Sequence, residues 1–398
     1  MDLEFTPEQQ ALRDEVREWL ARELPESYRR KTDHGILLSK EEILDWHARL
    51  DRQGWLVPHW PREYGGTGWG PVERFIFEEE LGLAAAPRVV PFGFTMLAPV
   101  LLRFGTREQC DYWLPRMRRG EDFWCQGYSE PGAGSDLASL RTEAVRDGDH
   151  YVVNGQKTWT TLAHYANMIF CLVRTSREGK PQEGISFLLI DMTSPGVEVR
   201  PIRTLEGGHE VNEVFFTDVR VPVANRVGEE NRGWTYAKYL LTWERTNIAG
   251  VGITKRKLAK LRAIARAERR GGRPLIEDPL FAARLAKAEI ALRHLEVTAL
   301  RVLAAQASGE APGAESSMLK ILGTEIRQEI DDLTRRATGV WAQPWIPEAL
   351  EPGWNGEPVG PDHALNAAAI YFNERKISIY GGSNEIQRNI IAKAMLGL

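Results

Sequence analysis

The hydrophobic period of this chain changes twice, and the order of those changes restricts its architecture more than any single motif. From about residue 121 to 225, apolar residues alternate or run in short blocks, as in "MIFCLVRTS", "GISFLLIDM", "VEVRPI" and "VNEVFFTDVRVP", and turn residues separate them. That is the signature of several short strands in a small barrel or sandwich. On either side the period is helical. Leu12, Val16, Trp19 and Leu20 follow Thr6, Pro7 and Gln9, which form an N-cap, a proline at the first helical position and a capping-box partner. Further helical stretches run over Lys40–Gln53, 71–86, 107–119 and Pro279–Ala307. Helices, then a β module, then helices predict an α+β chain in three parts rather than a βαβ array. The expected domains are an α-helical one over 1–120, a middle β-barrel over 121–228 and a C-terminal helical bundle over 229–398.

Within the β module, Asn154-Gly155 predicts a hairpin turn. The segment "VWAQPWIPEALEPGWNGEPVGPD" is rich in Pro, Gly and Trp and predicts an irregular excursion between helices.

Composition narrows the functional classes. A net charge of −4 argues against a nucleic-acid partner, which calls for a basic face. Three scattered cysteines, Cys110, Cys125 and Cys171, show no metal-ligand spacing and suit inert core positions in a reducing compartment. No apolar run is long enough to span a bilayer. The N-terminal residues carry acidic groups and no apolar block of the kind a signal peptide needs. A soluble, cytoplasmic protein is the expectation.

Two glycine-bearing loops invite a ligand. The one at 65–70 lacks the order and the preceding strand of a dinucleotide fingerprint and reads as a structural loop. The other, "YSEPGAGSD" from Tyr128 to Asp136, opens the β module with two glycines, a proline and small hydroxyl or acidic residues. Backbone amides in such a loop approach a flat or anionic ligand closely.

"YSEPGAGSD", then "NGQKTWTT", "VRVP" and "IYGGSNEIQRNIIAKAMLGL", in that order along nearly the whole chain, resemble the acyl-CoA dehydrogenase family of flavoenzymes. The resemblance implies N-terminal helices, a middle β-barrel and a C-terminal four-helix bundle. It also implies FAD as cofactor, an acyl-CoA thioester as substrate and an electron-transfer flavoprotein as electron acceptor. Carried over residue by residue, it sets Gln126, Tyr128 and Ser129 along the flavin ring and ribityl chain. Ser135 then meets flavin or acyl-CoA, Trp159 stacks on the isoalloxazine, and Thr161 bonds near its N5. Ser383 and Glu385 meet FAD from the last loop and helix. Arg245, Tyr380 and Gly381 join Ser135 around the substrate.

The family's reaction needs a carboxylate to take the α-proton, and Gly381 stands where that carboxylate often sits. A replacement is legible on a helical period. Ala237, Leu240, Leu241, Ile248 and Val251 form an apolar stripe, and Glu244 falls inside it. A carboxylate on an apolar face is costly unless it is paired or has work to do. The branch of the family similar to isovaleryl-CoA and long-chain acyl-CoA dehydrogenases carries its base on this helix, beside a small residue at the Gly381 position. Glu244 followed by Arg245 matches that pattern.

Two stretches depart from the family. "ERRGGRPL" keeps Arg269 for the pyrophosphate but lacks the usual aromatic, and "ATGVWAQP" replaces a glycine-rich loop that contacts cofactor across a dimer. These departures resemble bacterial relatives, some of them acting on steroid side chains, that assemble as α2β2 heterotetramers. A homodimer or homotetramer is the other expectation. A bulky or branched acyl group is the substrate lean. The alternatives are a flavin-dependent monooxygenase or oxidase on the same fold and a non-catalytic subunit of a heteromeric complex.

Overall fold

The computed structural model describes residues 5–307 and 313–398, with side chains described throughout except at 242–248 and 306–307. Six helices come first: α1 (Pro7–Glu23), α2 (Glu26–Asp33), α3 (Lys40–Gln53), α4 (Pro71–Leu83), α5 (Ala98–Phe104) and α6 (Arg107–Arg118). The start signal of α1 works as read: Thr6 Oγ1 accepts from the Gln9 amide at 3.3 Å, and Gln9 Oε1 accepts from the Thr6 amide at 3.1 Å. Ser39 and Thr106 cap α3 and α6 in the same reciprocal way, each cap contributing about 1 kcal/mol.

Seven strands follow: β1 (Trp124–Gly127), β2 (Glu143–Asp147), β3 (His150–Thr161), β4 (Met168–Arg174), β5 (Ile185–Asp191), β6 (Val197–Ile202) and β7 (Val211–Pro222). They pair in the order β1-β4-β2-β3-β7-β6, with β5 on β4, which gives a partly open β-barrel. Every residue of β4 is buried, and the two faces serve different cores. Phe170 and Leu172 pack with the N-terminal helices. Ile169, Cys171 and Val173 fill the barrel. A strand covered on both sides reads as a continuous apolar run, which is why "MIFCLVRTS" shows no alternation. The three cysteines are buried and free, and burial pushes the Cys171 thiol up to about 12.

The predicted Asn154-Gly155 turn is absent. Both residues lie inside β3, and the chain reverses six residues earlier, where Asp147 pairs with His150 around Gly148 at φ +62°. Asn154-Gly155 forms a β-bulge against β7 instead. Asn154 exchanges two hydrogen bonds with Asp218, at 3.0 and 2.9 Å. Gly155 is required because a Cβ there would meet Thr142 Cα at 2.6 Å. A dipeptide that tolerates unusual dihedrals suits a bulge as well as a turn.

The C-terminal part holds α7 (Gly233–Ile248), α8 (Val251–Ala267), a small hairpin of β8 (Arg269–Arg270) and β9 (Arg273–Pro274), α9 (Pro279–Ala307), α10 (Glu315–Thr338), α11 (Ala367–Asn373) and α12 (Asn384–Ile391). Residues 339–366 contain only short 3-10 turns, the irregular excursion expected. The apolar stripe from Ala237 to Val251 is not one continuous helix. Gly250 at φ +57° separates α7 from α8. Close packing accounts for the break's composition: a Cβ on Gly82 of α4, Gly252 of α8 or Gly323 of α10 would come within 2.5–2.7 Å of a neighbouring helix backbone. Buried Glu79 and Glu80 of α4 tie the domains further, pairing with Arg13 and Arg17 of α1, while Lys255 of α8 also reaches Glu79. No helix among the described residues is long and apolar enough to cross a membrane.

Candidate active site

The loop that leaves β1 is anchored from below. Lys157 on β3 is fully buried. Its Nζ donates to Glu130 Oε1 at 2.8 Å and to the Tyr128 carbonyl at 3.2 Å. Glu130 also accepts from the backbone amides of Arg141 (2.7 Å) and Thr142 (2.9 Å). Burial pushes the Glu130 carboxyl up, but the charge and hydrogen bonds of Lys157, with the donors from Thr142 and Arg141, outweigh it and hold it below the usual range. Burial pulls Lys157 down despite Glu130. Both shifts describe one ion pair taken out of water; the geometry favours the charged pair, since four hydrogen bonds hold it.

Above this anchor, β3 bulges again between Lys157 and Thr160, and Trp159 takes φ +59°. An L-residue in the left-handed region costs about 1–3 kcal/mol and persists only where its surroundings impose it. Here the Thr158 amide donates to the Ser129 carbonyl at 2.9 Å, which pins the bulge to the β1 loop. The result is an indole 60% exposed beside Ser129 and above buried Tyr128.

A second support lies under Thr160. The Thr160 carbonyl, which can only accept, lies 3.0 Å from Asn212 Nδ2, so the amide orientation is settled. Asn212 Oδ1 therefore accepts from His209 Nε2 (2.8 Å), and Nδ2 donates to a bare His164 Nδ1 (3.1 Å). The two imidazole centroids lie 4.2 Å apart, with the rings tilted by 34°. Burial, then the neighbouring His209, pulls the His164 pKa down.

Tyr128, Ser129 and Trp159 are thus drawn together by the bonds of Lys157 and Thr158, while Gln126 lies on β1 opposite Phe170, Thr161 ends β3 opposite Val211, and Ser135 is exposed on the same loop as Ser129. FAD, implied by the resemblance, meets residues that fit it. An exposed indole faces outward from a strained, doubly anchored bulge, and a Cβ added to Gly132 or Gly134 would find open space. Such a platform suits a flat aromatic ring.

The C-terminal turn approaches this end without closing on it. Lys376 pairs with Glu210, whose carbonyl accepts from the Leu162 amide at 2.9 Å, one residue past Thr161. Four residues on, Tyr380 is 39% exposed. Gly381 and Gly382 follow at φ +64° and +83°, and Gln387 Nε2 holds both carbonyls at 3.2 and 3.1 Å. Ser383 caps α12 as expected. The exposed Glu385 carboxyl is held low by its own backbone amide and the Ser383 hydroxyl. Arg269 is exposed in the small hairpin and donates to the Gly272 carbonyl at 2.9 Å. Among the described residues, no hydrogen bond or ion pair joins Arg269, Ser383 or Glu385 to the Trp159 cluster. The side chains of Glu244 and Arg245 lie outside the described residues; their backbone belongs to α7, on which Ala237 and Leu240 are buried.

A cavity of about 240 Å³ opens between α2, α8, α10, α11 and the loop before β7. His209, Glu210, Lys257, Lys260 and Asp331 are among its lining residues.

Lys157, Glu130, Asn212 and the histidine pair escaped the sequence reading. One signal was present: Lys157 and Glu130 both lie in motifs already singled out, yet their pairing spans the loop and cannot be counted from spacing.

Three family models match this chain in succession: the N-terminal domain of acyl-CoA dehydrogenase at residues 6–121, the middle domain at 125–219 and the C-terminal domain at 231–396. The chain is 38% identical over 395 residues to acyl-CoA dehydrogenase IpdE1 of Mycobacterium tuberculosis, covering 97% of each. Among solved structures, it is similar to the Tcur3481-Tcur3483 steroid ACAD, with TM-score 0.87, 30% identity and coverage of 100% and 99%. It is also similar to the ChsE4-ChsE5 complex of Mycobacterium tuberculosis, with TM-score 0.84, 35% identity and the same coverage.

Proposed function

This chain belongs to the acyl-CoA dehydrogenase family and is an FAD-dependent oxidoreductase; on that premise we propose that it oxidises a bulky or branched acyl-CoA between Cα and Cβ to the trans-2-enoyl thioester, with Glu244 as base. FAD, when bound, supplies the acceptor for the hydride that leaves Cβ. Glu244 takes the α-proton. A base within a mostly apolar helix face has its pKa raised by desolvation, which suits a group that must take and then release a proton near neutrality. Trp159 supports one face of the flavin ring. Gln126, Tyr128, Ser129 and Thr161 border it on the loop that Lys157 and Glu130 hold. Ser135, Arg245, Tyr380 and Gly381 orient the thioester. An electron-transfer flavoprotein takes the electrons onward.

The observation that carries the base assignment is the turn at Gly381. That residue offers no carboxylate, sits at φ +64° and has its carbonyl held by Gln387. Position 244 lies four and seven residues beyond Leu240 and Ala237, both buried on α7. The test is anaerobic reduction by acyl-CoA, followed by bleaching of the flavin absorbance. Glu244→Gln should retain FAD and ligand but lose reduction by about 10²–10⁴-fold, the worth of a general base. Full-rate reduction by the variant removes Glu244 from the role. Rapid reoxidation of the reduced wild type by air would favour the oxidase or monooxygenase reading instead.

The departures from the family pattern at "ERRGGRPL" and "ATGVWAQP" support a cofactor site completed by another subunit. Two solved relatives named as pairs of chains, Tcur3481-Tcur3483 and ChsE4-ChsE5, favour an α2β2 assembly over a homo-oligomer. Light scattering and FAD content of the chain purified alone decide: a fully loaded dimer or tetramer refutes the need for a second chain.

A further inference from the structure

Thr161 borders the flavin in the proposed site, and the backbone that presents it is strained. Trp159 and Leu162, on either side of Thr160-Thr161, both take left-handed dihedrals, φ +59° and +57°. The β3–β7 register also slips between Lys157 and Thr160. Such a segment keeps one geometry only where ties from outside impose it. Asn212 of β7, fully buried, supplies them. Its Nδ2 carries two protons, and they go to two points of the same stretch: the Thr160 carbonyl at 3.0 Å and His164 Nδ1 at 3.1 Å. The amide thus clasps the chain on both sides of Thr161. His209 Nε2 donates to Asn212 Oδ1 at 2.8 Å and fixes the amide from its other end.

This set of bonds works in one protonation state. His164 Nδ1 accepts only while it carries no proton. Asn212 cannot turn over to suit a protonated His164, because Oδ1 would then face the Thr160 carbonyl oxygen and Nδ2 would face the His209 donor. His209 donates through Nε2 whether neutral or charged. The other charged groups that act on His164 are Glu210 and Glu351. Glu210 pairs with Lys376 of the turn before Tyr380, and Glu351 pairs with Arg203 at 3.1 Å. The Tyr165 ring packs edge-on, its centroid 4.2 Å from that of His164. Both carboxylates favour an imidazolium, but burial, then His209, outweighs them and keeps His164 below its ordinary 6.5.

We propose that His164, Asn212 and His209 are positioning residues for the flavin, holding the Thr160-Thr161 backbone in the one geometry that meets the ring. None of the three is among the residues set against FAD or the thioester. The inference rests on the flavin placement proposed above.

The test follows the FAD dissociation constant and the visible flavin spectrum of the full-length holoenzyme from about pH 8 to about pH 5. The wild type should hold FAD evenly above about pH 7. Below that, protonation of His164 breaks the clasp, and the constant should rise by up to about tenfold per pH unit, the limit for one proton. His164→Leu removes the acceptor and should bind FAD about tenfold more weakly at the alkaline end, the worth of one buried hydrogen bond, with a displaced flavin band. His164→Asn sets an oxygen that does not titrate close to where Nδ1 stood. It should recover most of that loss and show no pH step. A wild-type profile flat over the whole range, or a step that persists in His164→Asn, overturns the proposal. So does His164→Leu with a lowered melting temperature but an unchanged flavin band and affinity, the mark of a merely structural tie. Thr161→Val separates this inference from the placement beneath it. If that variant keeps the wild-type band and affinity, the placement of Thr161 falls and the inference falls with it. A change in Thr161→Val without one in His164→Leu overturns the inference alone.

Discussion

Replacing Lys157 by Met tests whether the buried pair with Glu130 builds the flavin-side loop. The variant keeps the aliphatic stem but removes a fully buried ammonium that bonds Glu130 Oε1 at 2.8 Å and the Tyr128 carbonyl at 3.2 Å. Glu130, 8% exposed, then keeps two backbone amide donors and no counter-charge. Breaking a buried pair on one side costs about 3–5 kcal/mol. Adding Glu130→Gln removes the stranded charge; Arg141 and Thr142 bond separate oxygens of Glu130, so the glutamine oxygen accepts from one of the two amides and the other is left unpaired. The double variant should therefore lose about 1–3 kcal/mol, the cost of one buried unsatisfied donor. The assay is a double-mutant cycle in thermal unfolding, with FAD retention after gel filtration as a second readout. Lys157→Met alone should melt well below the double variant and lose FAD most readily, because Tyr128 and Ser129 lose their support. A double variant no more stable than Lys157→Met would refute the reasoning, since the stranded carboxylate would then not be the source of the loss.

Three further outcomes follow from the geometry. His47 is buried, and its Nε2 accepts from the Val90 amide at 3.2 Å, so it is held neutral, with burial bringing its pKa to about 3. Its folded value lies below the unfolded one, so its stabilisation is complete above about pH 6.5 and is lost as pH falls towards 3. Between pH 7 and pH 5 this amounts to about 2 kcal/mol, and His47→Gln should remove that part of the acid sensitivity in parallel melts. Trp159→Gly relieves a left-handed L-residue and gives up an indole already 60% exposed, so the FAD-free protein should melt no lower than wild type while FAD binds more weakly. A drop in FAD-free melting temperature would show that the bulge is not strained. Gly252→Ala drives a Cβ to 2.5 Å from the Glu79 carbonyl oxygen, which cannot swing aside as a side chain could. A loss of about 1–3 kcal/mol is expected from such overpacking, and an unchanged melting temperature would refute it.

The three-part architecture was legible because periodicity reports which faces are buried, and burial is what each layer of the fold needs. The helix cap read at Thr6 was local chemistry and holds in the structure; Ser39 and Thr106, not read from the sequence, cap in the same way. The glycine turn before α12 was local chemistry too, and Ser383 caps there as its residue type implies. Asn154-Gly155 was misread because the same backbone freedom serves a turn or a bulge, and only the pairing of β3 with β7 chooses between them. The stripe on α7 ran past Gly250 in the sequence, whereas packing against Gly82 and Gly323 breaks the helix there. What the sequence determined by itself was whatever depends on neighbours within a few residues and on the period of burial: element types, local caps and domain order. What only the tertiary structure decided were contacts between distant segments. Lys157 under Tyr128 and Asn212 between two histidines owe their chemistry to burial and to partners that spacing along the chain does not encode.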